Sequence, residues 1–330
     1  MNHETTRRRF LSGLAVSALS AGTVGCGSLV ATEGSAGIVD THTHFYDPTR
    51  PQGVPWPGRD DAFLYRPVLP PEFETLARPL GVTSTVVVEA SAWEEDNAWV
   101  LGLADRHRSL IGMVGHLNPG EPGFPTALAR FQGDRRFRGI RIGGGPVVRS
   151  LEDDGLRRDL GRLAELGLAV DVLVGPEQLE AVARMAGALP NLTVVIDHCA
   201  NVRVDGKAPP AAWVDAVRRC AGHAQVVMKV SGLVEGTGRS RGDAPGDVEF
   251  YRPVLDVVYE AFGPDRVVYG SNWPVSARFA SYETVFRIVE TYFRAKGSTV
   301  ADRYFTRNAL RVYGVSVSGT GTAGRRPGRV

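Results

Sequence analysis

Cysteine is scarce, with 3 in 330 residues. Cys26 lies in the leading segment, so only Cys199 and Cys220 remain in the body. Two cysteines make no disulfide framework, and they read as small buried apolar side chains. Net charge is small as well, at +2, and it sits at the ends: residues 1–36 carry +1, the stretch beyond Val315 carries +3, and the body between them −2. A slightly acidic body offers no electrostatic footprint for nucleic acid. Long apolar runs are missing too. Leu14 to Val24 is short and interrupted by Gly and Ser, which excludes a permanent membrane span there. What is present is an ordinary soluble-globular balance, 43% hydrophobic and 22% charged, in a length that suits a barrel of alternating strands and helices.

The first residues read as an address. Thr6-Arg7-Arg8-Arg9-Phe10-Leu11-Ser12 resembles a twin-arginine export signal, with paired arginines ahead of Phe-Leu and a weakly apolar segment. Residues 1–36 therefore read as signal peptide and linker, and the product as periplasmic or envelope-associated. Gly25-Cys26 partly matches a lipoprotein cleavage box, with Thr23 where Leu is usual, which makes Cys26 a candidate lipid anchor. Residues 316–330, rich in Gly, Ser, Thr and Arg, read as a disordered tail.

From Gly37 to Val315 short apolar runs alternate with longer amphipathic ones. Strands are expected at 38–44, 84–90, 110–116, 137–142, 168–174, 193–197, 226–231 and 266–271. Being rich in Val and Ile, and often apolar throughout, they suit a parallel sheet covered on both faces. Helical stretches lie between them, at 94–106, 123–132, 151–166, 177–189, 210–220, 248–261 and 282–294, with a final one at 299–313. Eight such units predict an α/β fold of the (β/α)8 TIM-barrel type. Three loops break the rhythm, at 47–71, 202–210 and 232–246. Loops after strand ends are where such a barrel builds its site.

The chemistry-bearing residues fall at those same strand ends. His42 and His44 are two apart, so an extended strand projects both imidazoles to one side, where they can hold a metal or orient a carbonyl. Later strands add Glu89, Arg141, Asp171, Asp197-His198, Lys229 and Ser271-Asn272-Trp273. Ionisable groups inside apolar strands are costly unless paired or useful, and for Glu89, Asp171 and Lys229 a structural ion pair is the competing reading.

The motifs V-D-T-H-T-H-F-Y-D, F-R-G-I-R, V-V-I-D-H-C-A, V-V-M-K-V-S-G-L and V-V-Y-G-S-N-W-P-V, in that order, resemble the amidohydrolase 2 family, most of all its branch of sugar-lactone and pyrone-dicarboxylate lactonases. The resemblance implies a metal-dependent-hydrolase barrel that hydrolyses a small-molecule carbonyl substrate, often a lactone of a sugar acid or an aromatic breakdown product. It implies either no required cofactor or one divalent ion such as zinc, held by His42, His44 and His198. Carried over residue by residue, those three histidines would polarise the carbonyl. Arg141 would pair with a substrate carboxylate, and Glu89, Asp171, Lys229 and Trp273 would line the substrate. Position 272 departs from the pattern. The family's G-S-D-W-P carries a general-base aspartate there, whereas Asn272 can hold a water but cannot take its proton. Asp197, Asp171 and Glu89 are the candidate substitutes. The altered residue also keeps two rival readings open, a decarboxylase on the same barrel and a non-catalytic envelope binder of small molecules.

Overall fold

We describe the chain over residues 37–317 of a computed structural model; the segment read as an export signal, Cys26 and most of the tail lie outside the described residues. The Val- and Ile-rich runs form eight strands: β1 (Ile38–Thr43), β2 (Val82–Val88), β3 (Leu110–Gly115), β4 (Phe137–Gly143), β5 (Ala169–Leu173), β6 (Val194–Ile196), β7 (Val226–Val230) and β8 (Val267–Tyr269). Each pairs in parallel with its sequence neighbour, in the order β1 to β8. Just past the ends of β1 and β8 the barrel closes. His44 N donates to Trp273 O and Asn272 N to His42 O, both at 2.9 Å. Asp40 reinforces this seam: its Oδ1 accepts from His42 N at 3.0 Å and Ser271 N at 2.9 Å, and its Oδ2 from the Tyr282 hydroxyl.

Helices cover the outside: α1 (Pro70–Ala77), α2 (Glu94–Ala104), α3 (Phe124–Phe131), α4 (Gly144–Arg149), α5 (Asp154–Glu165), α6 (Leu179–Ala188), α7 (Ala211–Ala221), α8 (Val248–Phe262) and α9 (Tyr282–Ala295). Their starts follow local chemistry. Asp153 accepts from Leu156 N to cap α5, and Ser281 from Thr284 N to cap α9. Of the apolar stripe expected from Leu151 to Leu166, Leu156, Leu160 and Leu163 are fully buried, whereas Leu166 is exposed, and the helix begins only at Asp154. Helices α4 and α1 are not expected from sequence, the first because Gly144-Gly145-Pro146 argues against a helix, the second because it follows a Pro-rich loop. The last helical stretch splits into α10 (Ser298–Asp302), a π turn (Arg303–Arg307) and α11 (Asn308–Tyr313).

Two layers of core result. Outward residues such as Val170, Val194, Ile196, Met228 and Val230 pack under the helices. Inward residues Val39, Val86, Val88, Val114, Ala169, Val195, Val227 and Val268 fill the barrel. Tyr313, Val315 and Val317 plug the barrel base against this inner set, so the packed chain reaches Val317 and extends past the expected tail boundary. Because side chains alternate, Asp171, Asp197 and Lys229 sit one step above Ala169, Val195 and Val227 on the same inner face.

Candidate active site

Above that apolar plug lies a buried ionic layer. Lys229 Nζ donates to Asp171 Oδ2 at 2.5 Å and lies 3.0 Å from Asp197 Oδ1 and 3.3 Å from His42 Nδ1. Tyr313 reaches up from the base, its hydroxyl 3.0 Å from Asp171 Oδ2. All three charged side chains are fully buried. Burial alone would lower the Lys229 ammonium, but the two carboxylates outweigh it and keep it charged. Burial would likewise raise Asp197; the ammonium and the His42 imidazole outweigh it and hold the carboxylate ionised.

The imidazoles stand on this layer. His42 and His44 do project together, as their spacing predicts, with ring centroids 4.9 Å apart, and His198 closes to 4.4 Å from His42. Burial lowers all three, His44 to about 3 and His198 to about 4, so they are neutral at physiological pH. His198 owes its position to the backbone. Residues 198–201 carry φ of 55, 50, 56 and 51°, a left-handed turn with no glycine, which costs about 1–2 kcal/mol per residue. Side-chain anchors hold it: Trp213 Nε1 donates to Cys199 O at 3.2 Å and Asn201 Nδ2 to Val174 O at 2.8 Å. Gly232 is a necessary neighbour, since a Cβ there would lie 2.6 Å from the His198 Cβ. Ser231 Oγ, 2.8 Å from His198 Nδ1, can donate to that nitrogen and leave Nε2–H for the cavity.

Asn272 also has left-handed backbone, φ 59°, which Asn tolerates better than most residues. Its amide joins two groups: Oδ1 lies 3.2 Å from His44 Nε2, and Nδ2 donates to Glu235 Oε1 at 2.8 Å. The other Glu235 oxygen, Oε2, is buried and has no hydrogen-bond partner among the described residues. Burial pushes this carboxyl up to about 7.

These groups open onto a cavity of about 580 Å³ at the strand C-termini, lined by His44, His198, Glu89, Arg141, Glu235 and Asn272, with Trp56 and Phe279 supplying apolar walls. Arg141 is committed rather than free: its Nε donates to Glu89 Oε1 at 2.8 Å and its guanidinium also reaches Glu89 O at 2.9 Å.

His42, His44, His198 and Asn272 thus converge, and Glu89 and Arg141 line the cavity. Three of the expected substrate contacts do not. Asp171 and Lys229 are sealed in the layer below, where burial requires each charge to have the other as partner. Trp273 is 1% exposed and packs among Phe45 and Phe73, because its backbone closes the seam and turns the ring outward. Glu235 is not singled out by sequence reasoning. Its signal is a lone acid between buried Leu233-Val234 and Gly236, in the loop that follows β7.

For a divalent ion the donor set also differs from the three histidines. Atoms of His42, Asp197 and His198 lie within 4.8 Å of one another, and His42 Nε2 is buried without a partner among the described residues. His44 falls outside this cluster; with its one N–H donated from Nδ1 to Val88 O at 3.0 Å, the neutral ring has no second proton for Asn272 Oδ1, 3.2 Å from Nε2. Two imidazoles and a carboxylate fit one divalent ion. Asp197 thus supplies the anionic ligand that Asn272 cannot, while the Lys229 ammonium beside it weakens the pull on a cation.

The amidohydrolase family model matches residues 39–315. The chain is 31% identical over 285 residues to an L-fucono-1,5-lactonase of Burkholderia ambifaria, covering 83% of this chain and 94% of that one. A zinc-bound amidohydrolase of Burkholderia multivorans superposes with a TM-score of 0.77 at 28% identity, over 85% of this chain and all of the other. A putative 2-pyrone-4,6-dicarboxylic acid hydrolase of Pseudomonas putida shares the fold, with a TM-score of 0.66 at 20% identity, over 84% of this chain and 98% of the other. The order of the strands, the paired histidines at the end of β1 and the match along the whole barrel agree: this chain belongs to the amidohydrolase family.

Proposed function

We propose that the protein hydrolyses a neutral, polyhydroxylated lactone of the sugar-acid type. One observation carries this choice within the lactonase branch: Arg141 is the sole cation lining the cavity among the described residues, and Glu89 already neutralises it. The ionic layer beneath, one ammonium between two carboxylates, adds no positive charge. A dianionic pyrone would enter a site with no spare cation, whereas a neutral ring meets hydrogen-bonding groups and the apolar faces of Trp56 and Phe279. The name of the Burkholderia ambifaria relative points to the same class.

In this reading the substrate carbonyl oxygen lies against His198 Nε2, whose hydrogen stabilises the charge that develops when water attacks. Ring opening converts a neutral ester into a carboxylate, which finds no spare cation in this cavity to hold it, favouring release. If His42, Asp197 and His198 held an ion, His198 Nε2 would be a ligand instead of a donor, and the ion would supply the polarisation of the carbonyl in its place.

A panel of lactones checks the substrate class. Neutral aldono-1,5-lactones should show kcat/KM at least about a hundredfold above 2-pyrone-4,6-dicarboxylate, the size of discrimination an unpaired buried charge imposes. A preference for the dicarboxylate would reverse the charge argument. Export is part of the same proposal and rests on the twin arginines. Replacing Arg7 and Arg8 with Lys should leave the precursor in the cytoplasm on fractionation; a Lys-Lys variant that reaches the envelope as efficiently as the parent removes the twin-arginine route.

A further inference from the structure

Hydrolysis of an ester needs a group to take the proton from the attacking water, and at the position where the family pattern places a carboxylate this chain has an amide. Among the acids that the strands supply, Asp197 and Asp171 are bound to Lys229 and Glu89 to Arg141. Asp171 and Asp197 are sealed beneath the cavity with the ammonium, and the Glu89 carboxylate is tied to the Arg141 guanidinium through Oε1 at 2.8 Å.

Glu235 is different on three counts. It lines the cavity. Among the described residues it has no cationic partner, and its one side-chain hydrogen bond is from a neutral amide, Asn272 Nδ2, at 2.8 Å on Oε1. Its other oxygen is buried yet unbonded among the described residues, a costly arrangement for a carboxyl without a function. We propose that Glu235 is the proton-transfer residue of the hydrolysis, its carboxyl held at the cavity wall by Asn272. The assignment rests on the lactone-hydrolase reading above. Asn272 is then a positioning residue, whose amide fixes the carboxylate that its own side chain lacks.

Atoms and electrons balance in this step. The Glu235 carboxylate takes one proton from water as the water oxygen forms a bond to the lactone carbonyl carbon, whose π electrons move onto the carbonyl oxygen. When those electrons return, the bond between that carbon and the ring oxygen breaks. The ring oxygen leaves with the electron pair and takes the proton back from Glu235. The product is a hydroxy acid, which then ionises to solvent.

A base that returns its proton works best with a pKa near the operating pH, and the value of about 7 fits that role. Few charges face the group. Tyr251 on α8 stands behind it with its hydroxyl donated to Pro245 O. The remaining cavity groups are neutral His44 and His198 and the self-neutralising Glu89–Arg141 pair.

Steady-state kinetics on a neutral lactone test this. Because the unprotonated carboxylate is the working form, kcat in the parent should fall as pH drops below about 7. Glu235→Gln keeps the size and the Asn272 neighbour, and should lower kcat about a hundredfold with KM little changed and the acidic limb gone. Formate should partly rescue Glu235→Ala. Adding Asn272→Asp to Glu235→Gln restores a carboxylate to the site, and should recover at least about tenfold of the lost rate. In Asn272→Asp alone, two adjacent carboxylates cannot both ionise easily, so the acidic limb should move to higher pH. If Glu235→Gln retains the parental kcat and the parental acidic limb, Glu235 is not the base, and the hydrolase reading stands without it. A parent that opens no lactone in the panel removes the hydrolase reading itself, and the role of Glu235 falls with it.

Discussion

Replacing Lys229 with methionine is expected to remove about 3–5 kcal/mol of stability, the range observed when one partner of a buried ion pair is deleted. Asp171 and Asp197 would then face each other across the barrel interior without the ammonium that now lies 2.5 and 3.0 Å from them. Both would be driven toward protonation, and Tyr313 could satisfy only one of them. A typical domain holds only about 5–15 kcal/mol in total, so urea unfolding of Lys229→Met should show a midpoint far below that of the parent. Removing all three charges at once, with Asp171→Asn and Asp197→Asn added, should recover much of the loss, because it is the uncompensated charge that is costly. A single variant as stable as the parent would mean that water reaches this layer and that the burial argument is wrong. The same layer explains why Lys229 and Asp171 are poor substrate contacts: they carry the histidines.

His198→Ala should lower kcat/KM by about 10²–10³, as expected for loss of one preorganised donor to a developing oxyanion. The circular-dichroism spectrum should be unchanged, because the left-handed turn is anchored through Trp213 and Asn201, and alanine at 198 keeps both bonds. Zinc affinity, read by equilibrium dialysis, should fall in parallel, since His198 is one of the three potential donors. If activity survives while zinc affinity drops, the carbonyl is polarised elsewhere and the cluster is only an ion site.

The barrel is legible in the sequence because inward and outward residues are both apolar in its strands, which leaves Val- and Ile-rich runs that stand out from the amphipathic helices. The paired histidines are legible for a similar reason, a period of two. What stays hidden depends on contacts between residues far apart. Nothing local reveals that Arg141 commits its guanidinium to Glu89, 52 residues earlier, or that Lys229 binds Asp171, 58 residues away. Asn272 looks like a simple loss because its partner sits in another loop. Residues 198–201 give no warning of their geometry either. His-Cys-Ala are ordinary residues, and tertiary anchors impose the left-handed turn on them.

The seam between β1 and β8 has a consequence for how this molecule comes into being. His42 and His44 stand near the start of the barrel, Asn272 near its end, and the bonds between them span about 230 residues. No shorter piece of chain brings these groups together, so neither a nascent chain nor a C-terminal truncation before Asn272 contains a weaker version of the site. Such long-range closure is slow to form, and the strand edges of β1 and β8 are open until it does. During refolding from denaturant, catalysis should therefore return in the last phase, after helical signal has recovered, and the seam edges are where aggregation would start.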